Sequence, residues 1–284
     1  MLPFPPYRFG NPATMGAGFV GPLDGYSLVY AMSTGRRLLS SWTGNIAKIR
    51  STGAGTPEQD FGAVAGLLDT AGIATFLGAD SGVFKTLYDQ TGNGHGLSQS
   101  SASKQPAYSA TGLNSRPTML FDGIDDGMIS VDNIPAQSSW WGYIVTKRSS
   151  GTAPVDLWCP VSYPDTAVSY RLWETVFGLR WIGYNNASGA SSAIAYSNGV
   201  AYAHLLKGTA ASTYAKSSAG NVISNANDNS IVGGFKYTVG YRNDASGYFP
   251  GHICEIVLGT GTLTSQQETD IFTQLNAFWK TPIP

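Results

Sequence analysis

The chain has 284 residues, 17 basic against 18 acidic side chains, a formal net charge of −1, and only 12% charged residues. That balance excludes the basic footprint of a nucleic-acid or anionic-lipid binder and leaves neutral partners, glycans or protein surfaces. With 35 Gly, 15 Tyr, 12 Phe and 7 Trp, the length suits one large core, and the turn-rich, aromatic-rich makeup predicts an all-β sandwich. No apolar run reaches the roughly 18 residues a membrane span needs, so no membrane insertion is expected.

The opening segment, Met1-Leu2-Pro3-Phe4-Pro5-Pro6-Tyr7-Arg8-Phe9, has neither a basic start nor a continuous apolar stretch and is not read as a secretory signal. Proline, glycine and aromatics keep residues 1–25 extended. Two readings stay open for them: an unordered tail, or an assembly arm whose Phe4, Tyr7, Phe9 and Phe19 dock on a neighbouring subunit. No linker, repeat or low-complexity tract divides the rest of the chain, so residues 26–284 read as one sandwich domain.

Alternation and breakers predict strands near 26–32, 45–51, 83–88, 117–122, 139–147, 168–174, 178–184, 201–207, 211–216, 230–240 and 249–258. A short helix is expected over 61–77. A second spans about 265–279, where Thr264 with Gln267, or Ser265 with Glu268, forms a capping box. Its Ile271, Leu275 and Phe278 share a face that should cover an edge or end of the sandwich.

Between the third and fourth of these strands lies Tyr88-Asp89-Gln90-Thr91-Gly92-Asn93-Gly94, followed by Gln105-Pro106 and Arg116-Pro117-Thr118-Met119-Leu120-Phe121-Asp122-Gly123. The first is a tight turn in which Gly92 and Gly94 take positive φ and short polar side chains bond back to amides. Asp122, Asp125 and Asp126 form a second acidic turn and read as turn-formers, with calcium left open.

Cys159 and Cys254 have no partner at metal-ligand spacing and read as structural thiols; a bridge between them rests only on the even count. Cys254 alternates with Ile256 and Leu258, which puts it on the same apolar face as they occupy. His95, His204 and His252 are too scattered for a metal hydrolase, and no nucleophile elbow or phosphate loop is present. No metal and no cofactor is expected.

The stretch from Leu23 to about Asp126 resembles the catalytic domain of the α-L-arabinofuranosidase B family and its non-enzymatic relatives in bacterial and phage proteins. The residues that carry this are Tyr30-Ala31-Met32-Ser33, Arg36-Arg37-Leu38-Leu39, Ile49-Arg50-Ser51, Gln59-Asp60-Phe61, Leu68-Asp69, Phe76-Leu77-Gly78 and the Tyr88–Gly94 turn. Phe249-Pro250-Gly251-His252-Ile253-Cys254-Glu255-Ile256-Val257 is similar to the last strand of concanavalin-like and laminin-G-like sandwiches. The resemblance implies a concanavalin A-like jelly-roll sandwich with one or two short helices, preceded here by the extended arm.

Glycoside hydrolysis needs two carboxyl groups about 5 to 9.5 Å apart, and Glu174, Asp244, Glu255 and Asp165 are the candidates. In the family the nucleophile is a Glu shortly after two adjacent cysteines, and this chain has no such pair. The family's acid/base is an Asp in the glycine-rich turn before the last strand; Gly240-Tyr241-Arg242-Asn243-Asp244 stands there, with Tyr241 aligned at that place. Glu255, inside a strand common to non-catalytic sandwiches, reads as structural. Trp140-Trp141, Trp173, Trp181 and Tyr184 offer aromatic faces for a sugar, with Trp173, Trp181 and Tyr184 the expected carbohydrate-binding set.

On this basis the expected role is that of a non-enzymatic virion surface protein, a phage decoration protein, head fibre or tail-associated adhesin. It would be made in the host cytoplasm, attach to other virion proteins through the arm as a homo-oligomer, and display a sandwich able to bind host-surface glycan. The alternative is an arabinofuranosidase-like hydrolase using Glu174 and Asp244.

Overall fold

A computed structural model of the chain describes residues 19–149, 197–209, 211–218, 222–225, 231, 233–241, 247–282 and 284, together with the backbone of four strands within 155–194. The first half runs through β1 (Leu28–Ser33), β2 (Ala47–Ser51), β3 (Glu58–Phe61), β4 (Ala63–Val64), β5 (Leu67–Leu68), α1 (Thr70–Leu77), β6 (Gly82–Leu87), β7 (Leu97–Ser98), β8 (Ala107–Leu113), β9 (Arg116–Asp122), β10 (Met128–Ser130) and β11 (Ser139–Arg148). The second half contributes β12 (Val155–Ser162), β13 (Tyr170–Thr175), β14 (Gly178–Ile182), β15 (Ser191–Ile194), β16 (Ala201–Thr209), β17 (Ser212–Ser217), β18 (Val222–Asn225), β19 (Lys236–Val239), β20 (Pro250–Thr260) and α2 (Ser265–Trp279).

All but β4 and β5 join one antiparallel sheet that curls into two layers. In the first layer the order is β18-β17-β16-β11-β20, with β1 beside the C-terminal half of β20 and β9 beside its N-terminal half. In the second it is β3-β2-β6-β7-β10-β19-β12-β13-β14-β15. Strand β8 carries the sheet from one layer to the other through β9 and a single pairing, Val83 with Ala107. The expected all-β sandwich is the architecture found.

Strand alternation builds two cores. Tyr30, Met32, Phe84, Met119, Phe121, Trp140, Ile144, Tyr237, Ile253 and Ile256 fill the space between the layers. Ala31, Trp141, Tyr143, Val145, Leu205, Cys254 and Val257 point the other way, beneath Ile271, Phe272, Leu275, Phe278 and Trp279 of α2. At roughly 1.5–3 kcal/mol for each large apolar side chain buried, this second core is a substantial part of what holds the fold. Helix α2 therefore covers a face of the first layer rather than an edge or end. Its cap is the expected box: Thr264 N donates to Gln267 Oε1 at 2.8 Å and Gln267 N to Thr264 Oγ1 at 3.2 Å.

Three expectations change locally. The helix predicted from residue 61 starts only at Thr70, because Ala65 and Gly66 take φ of 51° and 81° and turn β4 back into β5; Asp69 then caps α1 by accepting from Gly72 N. Of the strand predicted over 230–240, the described residues show β19 over Lys236–Val239, preceded by isolated bridges of Ile231 to Gln137 and Phe235 to Ile134.

The third concerns Cys254. The β11–β20 register jumps from Val145↔Glu255 to Thr146↔Ile253, so Cys254 is the extra residue of a β-bulge. Cys254 and Glu255 both fall on the α2 side, opposite Ile256 and Leu258. Strict alternation fails at that one residue. Cys254 is a buried free thiol, its pKa pushed up by burial, and the bulge is tied down by Thr34, whose amide and hydroxyl both donate to the Cys254 carbonyl. The side chain of Cys159 lies outside the described residues.

Residues 21–25 belong to the folded body, since Leu23 is fully buried in the α2 core and its amide donates to Leu38 O. Phe19, assigned to the arm, lies under the Arg37 guanidinium, 3.9 Å from its ring centre. Phe4, Tyr7 and Phe9 lie outside the described residues.

Candidate active site

The glycine turn that dominates the sequence is a clasp. Buried Asp89 accepts from the amides of Ala31 (3.0 Å), Thr91 (3.0 Å) and His95 (3.2 Å) and from the Thr91 hydroxyl (2.8 Å). Gln90 accepts from Leu38 N at 2.7 Å and donates to Arg36 O at 3.1 Å. Both side chains fasten the turn after β6 to β1 and to the segment behind it, and neither is free for chemistry.

Glu255 is equally committed. It is fully buried and receives Arg36 Nε and Nη2 (2.9 and 2.8 Å), Tyr143 Oη (2.7 Å), Trp279 Nε1 (2.9 Å) and Ser33 Oγ (3.1 Å). Five donors on one carboxylate, with no solvent path, leave no room for a sugar.

The Glu174 position on β13 and the start of the turn after β19 lie at one end of the sandwich. Val239, the last residue of β19, pairs with Met128 on one side and Trp158 on the other, and in the next pairing Val155 faces Glu174. The turn that leaves β19 and the Glu174 position on β13 thus lie at the same end of the second layer, separated by β12 alone. The Asp122–Asp126 turn, which precedes β10, is at that end too: Gly123 packs on Pro250, and Gly127 lies against the Tyr241 ring.

At this end the inner face of the first layer turns from apolar to polar. Thr146, Arg148, Tyr202, His204 and Ser217 are all buried. His204 Nε2 lies 3.3 Å from Thr146 Oγ1, and its ring stacks with Tyr202 at 6.1 Å. Burial lowers the His204 pKa to about 3, so the imidazole is neutral. Sequence reasoning weighed His204 only as a metal ligand and passed over the others. Their signal was polar side chains on the alternate, inward positions of β11 and β16, where a sandwich core calls for apolar ones.

Among the described residues, one acidic group has ligand atoms close enough for a cation: Asp122, Asp125 and Asp126, within 4.8 Å of one another. Asp122 Oδ1 accepts from the amides of Ile124, Asp125 and Asp126, and Asp126 Oδ2 from Asp122 N at 2.9 Å. These carboxylates shape their own turn. Burial, with the negative charges of Asp122 and Asp125, lifts the Asp126 pKa to about 7.

Trp140 and Trp141 are both fully buried core residues, unable to meet a sugar. Trp173 and Trp181 occupy β13 and β14, paired Trp173↔Arg180 and Leu172↔Trp181. Their side chains and that of Glu174, with Tyr184, Asp165 and Asp244, lie outside the described residues.

No protein-family model and no curated protein matches the chain. Solved structures do. It superposes on a GH54 α-L-arabinofuranosidase soaked with 4-nitrophenyl α-L-arabinofuranoside with a TM-score of 0.69 and 17% identity, over 88% of this chain and 63% of that one. An arabinofuranosidase complexed with arabinofuranosyl-α-1,2-xylobiose gives 0.69 and 18% with the same coverage. The fold is that of an arabinofuranosidase β-sandwich. Domain 4 of AbnA, a GH43 extracellular arabinanase from Geobacillus stearothermophilus in complex with arabinotriose, aligns at 0.51 and 15% over 64% of this chain and 91% of the domain. The chain spans about 63% of the length of the arabinofuranosidases it matches.

These likenesses overturn the expected non-enzymatic virion surface protein. Structures that share its architecture over 88% of its length include arabinofuranosidases, which favours the hydrolase alternative.

Proposed function

We propose that this chain is a glycoside hydrolase domain that removes arabinofuranosyl residues, with Glu174 as nucleophile and Asp244 as acid/base. The observation that carries the reading is the β19–β12–β13 register, which brings the Glu174 position and the turn after Val239 to one end of one layer. The arabinofuranosidase fold supports it, and so does the polar inner face at that end. In this reading the Glu174 carboxylate attacks the anomeric carbon while Asp244 protonates the departing glycosidic oxygen. Water, deprotonated by Asp244, then releases the sugar from Glu174. The chain lacks the family's adjacent cysteines, so Glu174 does not follow the sequence landmark of the family's nucleophile.

The test is release of 4-nitrophenol from 4-nitrophenyl α-L-arabinofuranoside by the full chain. Glu174→Gln and Asp244→Asn should each lower kcat by about 10³-fold or more. A wild-type chain without activity, or variants that keep the full rate, would overturn the assignment.

A further inference from the structure

Tyr241 and Tyr248 stand on either side of the turn that carries Asp244, and their rings stack in parallel, 5.9 Å apart at 12°. Both are half-buried, and neither belongs to the interlayer core or to the core beneath α2. Hydrogen bonds hold the residues flanking the turn. Gly240 takes φ +82°, its carbonyl accepts from Phe249 N at 2.8 Å, and Thr238 Oγ1 donates to the Tyr241 carbonyl at 3.1 Å. A Cβ at position 127 would fall 2.2 Å from the Tyr241 ring, so the glycine there leaves the space the ring occupies. Beyond it Asp125, half-buried, and Asp122, exposed, supply carboxylate oxygens.

Two stacked aromatic rings outside any core, set against Gly127 just past the Asp122–Asp126 turn, suit a pyranose or furanose ring with its hydroxyls turned to polar neighbours. We propose that Tyr241 and Tyr248 form an aromatic subsite that holds a further sugar unit of the glycan being cleaved. The ligand class is accordingly an arabinose-containing oligosaccharide. This rests on the hydrolase reading for the identity of the glycan.

Calorimetric titration of the full chain with arabinotriose tests it. Tyr241→Ala and Tyr248→Ala should each weaken binding about 5- to 10-fold, the scale of one aromatic contact, while Tyr248→Phe, which keeps the ring, should stay within about twofold. Should an alanine variant fail to fold, Tyr241→Leu and Tyr248→Leu keep apolar volume without an aromatic face and should show the same loss. Unchanged affinity in folded alanine or leucine variants would overturn the subsite, as would an absence of arabinotriose binding by the wild type. The 4-nitrophenyl α-L-arabinofuranoside assay separates the two readings. Hydrolysis with ring-independent trisaccharide binding would sink the subsite alone, and ring-dependent binding without hydrolysis would sustain the subsite and sink the hydrolase.

Discussion

Arg36 grips Glu255 through two parallel hydrogen bonds, Nε to Oε2 at 2.9 Å and Nη2 to Oε1 at 2.8 Å, and both side chains are buried. The same guanidinium lies 4.3 Å from the Phe278 ring centre and donates to Gln274, while Trp279 donates to Glu255. The pair therefore ties β20 to the C-terminal half of α2. Glu255→Gln removes the countercharge and leaves a buried guanidinium unpaired, a loss of about 3–5 kcal/mol. Urea unfolding should show it as a lower midpoint. The double change Arg36→Met with Glu255→Leu should not recover the loss, because Ser33, Tyr143 and Trp279 are then left as buried donors without an acceptor.

Asp89 makes the corresponding argument for the turn after β6. Asp89→Ala would orphan the amides of Ala31, Thr91 and His95, which it now satisfies. An unsatisfied buried donor costs about 1–3 kcal/mol, and water can reach some of this half-buried turn, so a net loss of about 2–3 kcal/mol is expected. Asp89→Asn, which keeps one acceptor oxygen, should lose less. Thermal unfolding of both variants beside the wild type checks the order.

Gly259 is the next-to-last residue of β20, a strand position where glycine normally weakens the ladder. Its register partner Trp141 explains it: a Cβ at 259 would fall 2.2 Å from Cε2 of that fully buried indole. Gly259→Ala should cost about 1–3 kcal/mol through overpacking. If the thermal midpoint does not move, the indole is free to shift and the packing is looser than this contact implies.

How far the sequence was legible depends on how local each signal is. The two-residue alternation of β1, β11, β16 and β20 and the Thr264–Gln267 box are written in neighbouring residues, and they appear where expected. Short strands such as β3, β8 and β10 hold few apolar residues of their own and exist because a neighbouring strand supplies the hydrogen bonds, so no local pattern marked them. The Cys254 bulge is a matter of register between distant strands, invisible to alternation along one. Asp89 and Gln90 were recognisable as turn residues, but their partners Ala31 and Leu38 lie more than fifty positions away. The candidate carboxylates Glu174 and Asp244 could be named from sequence. That β13 and the turn after Val239 lie at one end depends on β12, which the alternation of its residues did not reveal.

The pH dependence of stability should carry two opposed signatures. Burial lowers the pKa of His204 from 6.5 to about 3, and burial with the Lys147 charge lowers that of His252 to about 4. Between those values and about 6.5 the unfolded chain binds protons that the folded chain refuses, so stability is lost as pH falls through that window. Asp126 acts in the other direction. Its folded pKa of about 7 exceeds the ordinary 3.8, so the folded chain holds the proton more tightly, and that contribution is full below about pH 3.8 and lost as pH rises through 7. Asp126→Asn removes only the second effect. Relative to wild type, the variant should gain stability steadily from pH 4 to pH 8, measured as the difference between their denaturant midpoints. A difference that stays flat over that range would mean that Asp126 ionises normally and that its carboxylate is better solvated or better paired than its burial and its neighbours Asp122 and Asp125 indicate.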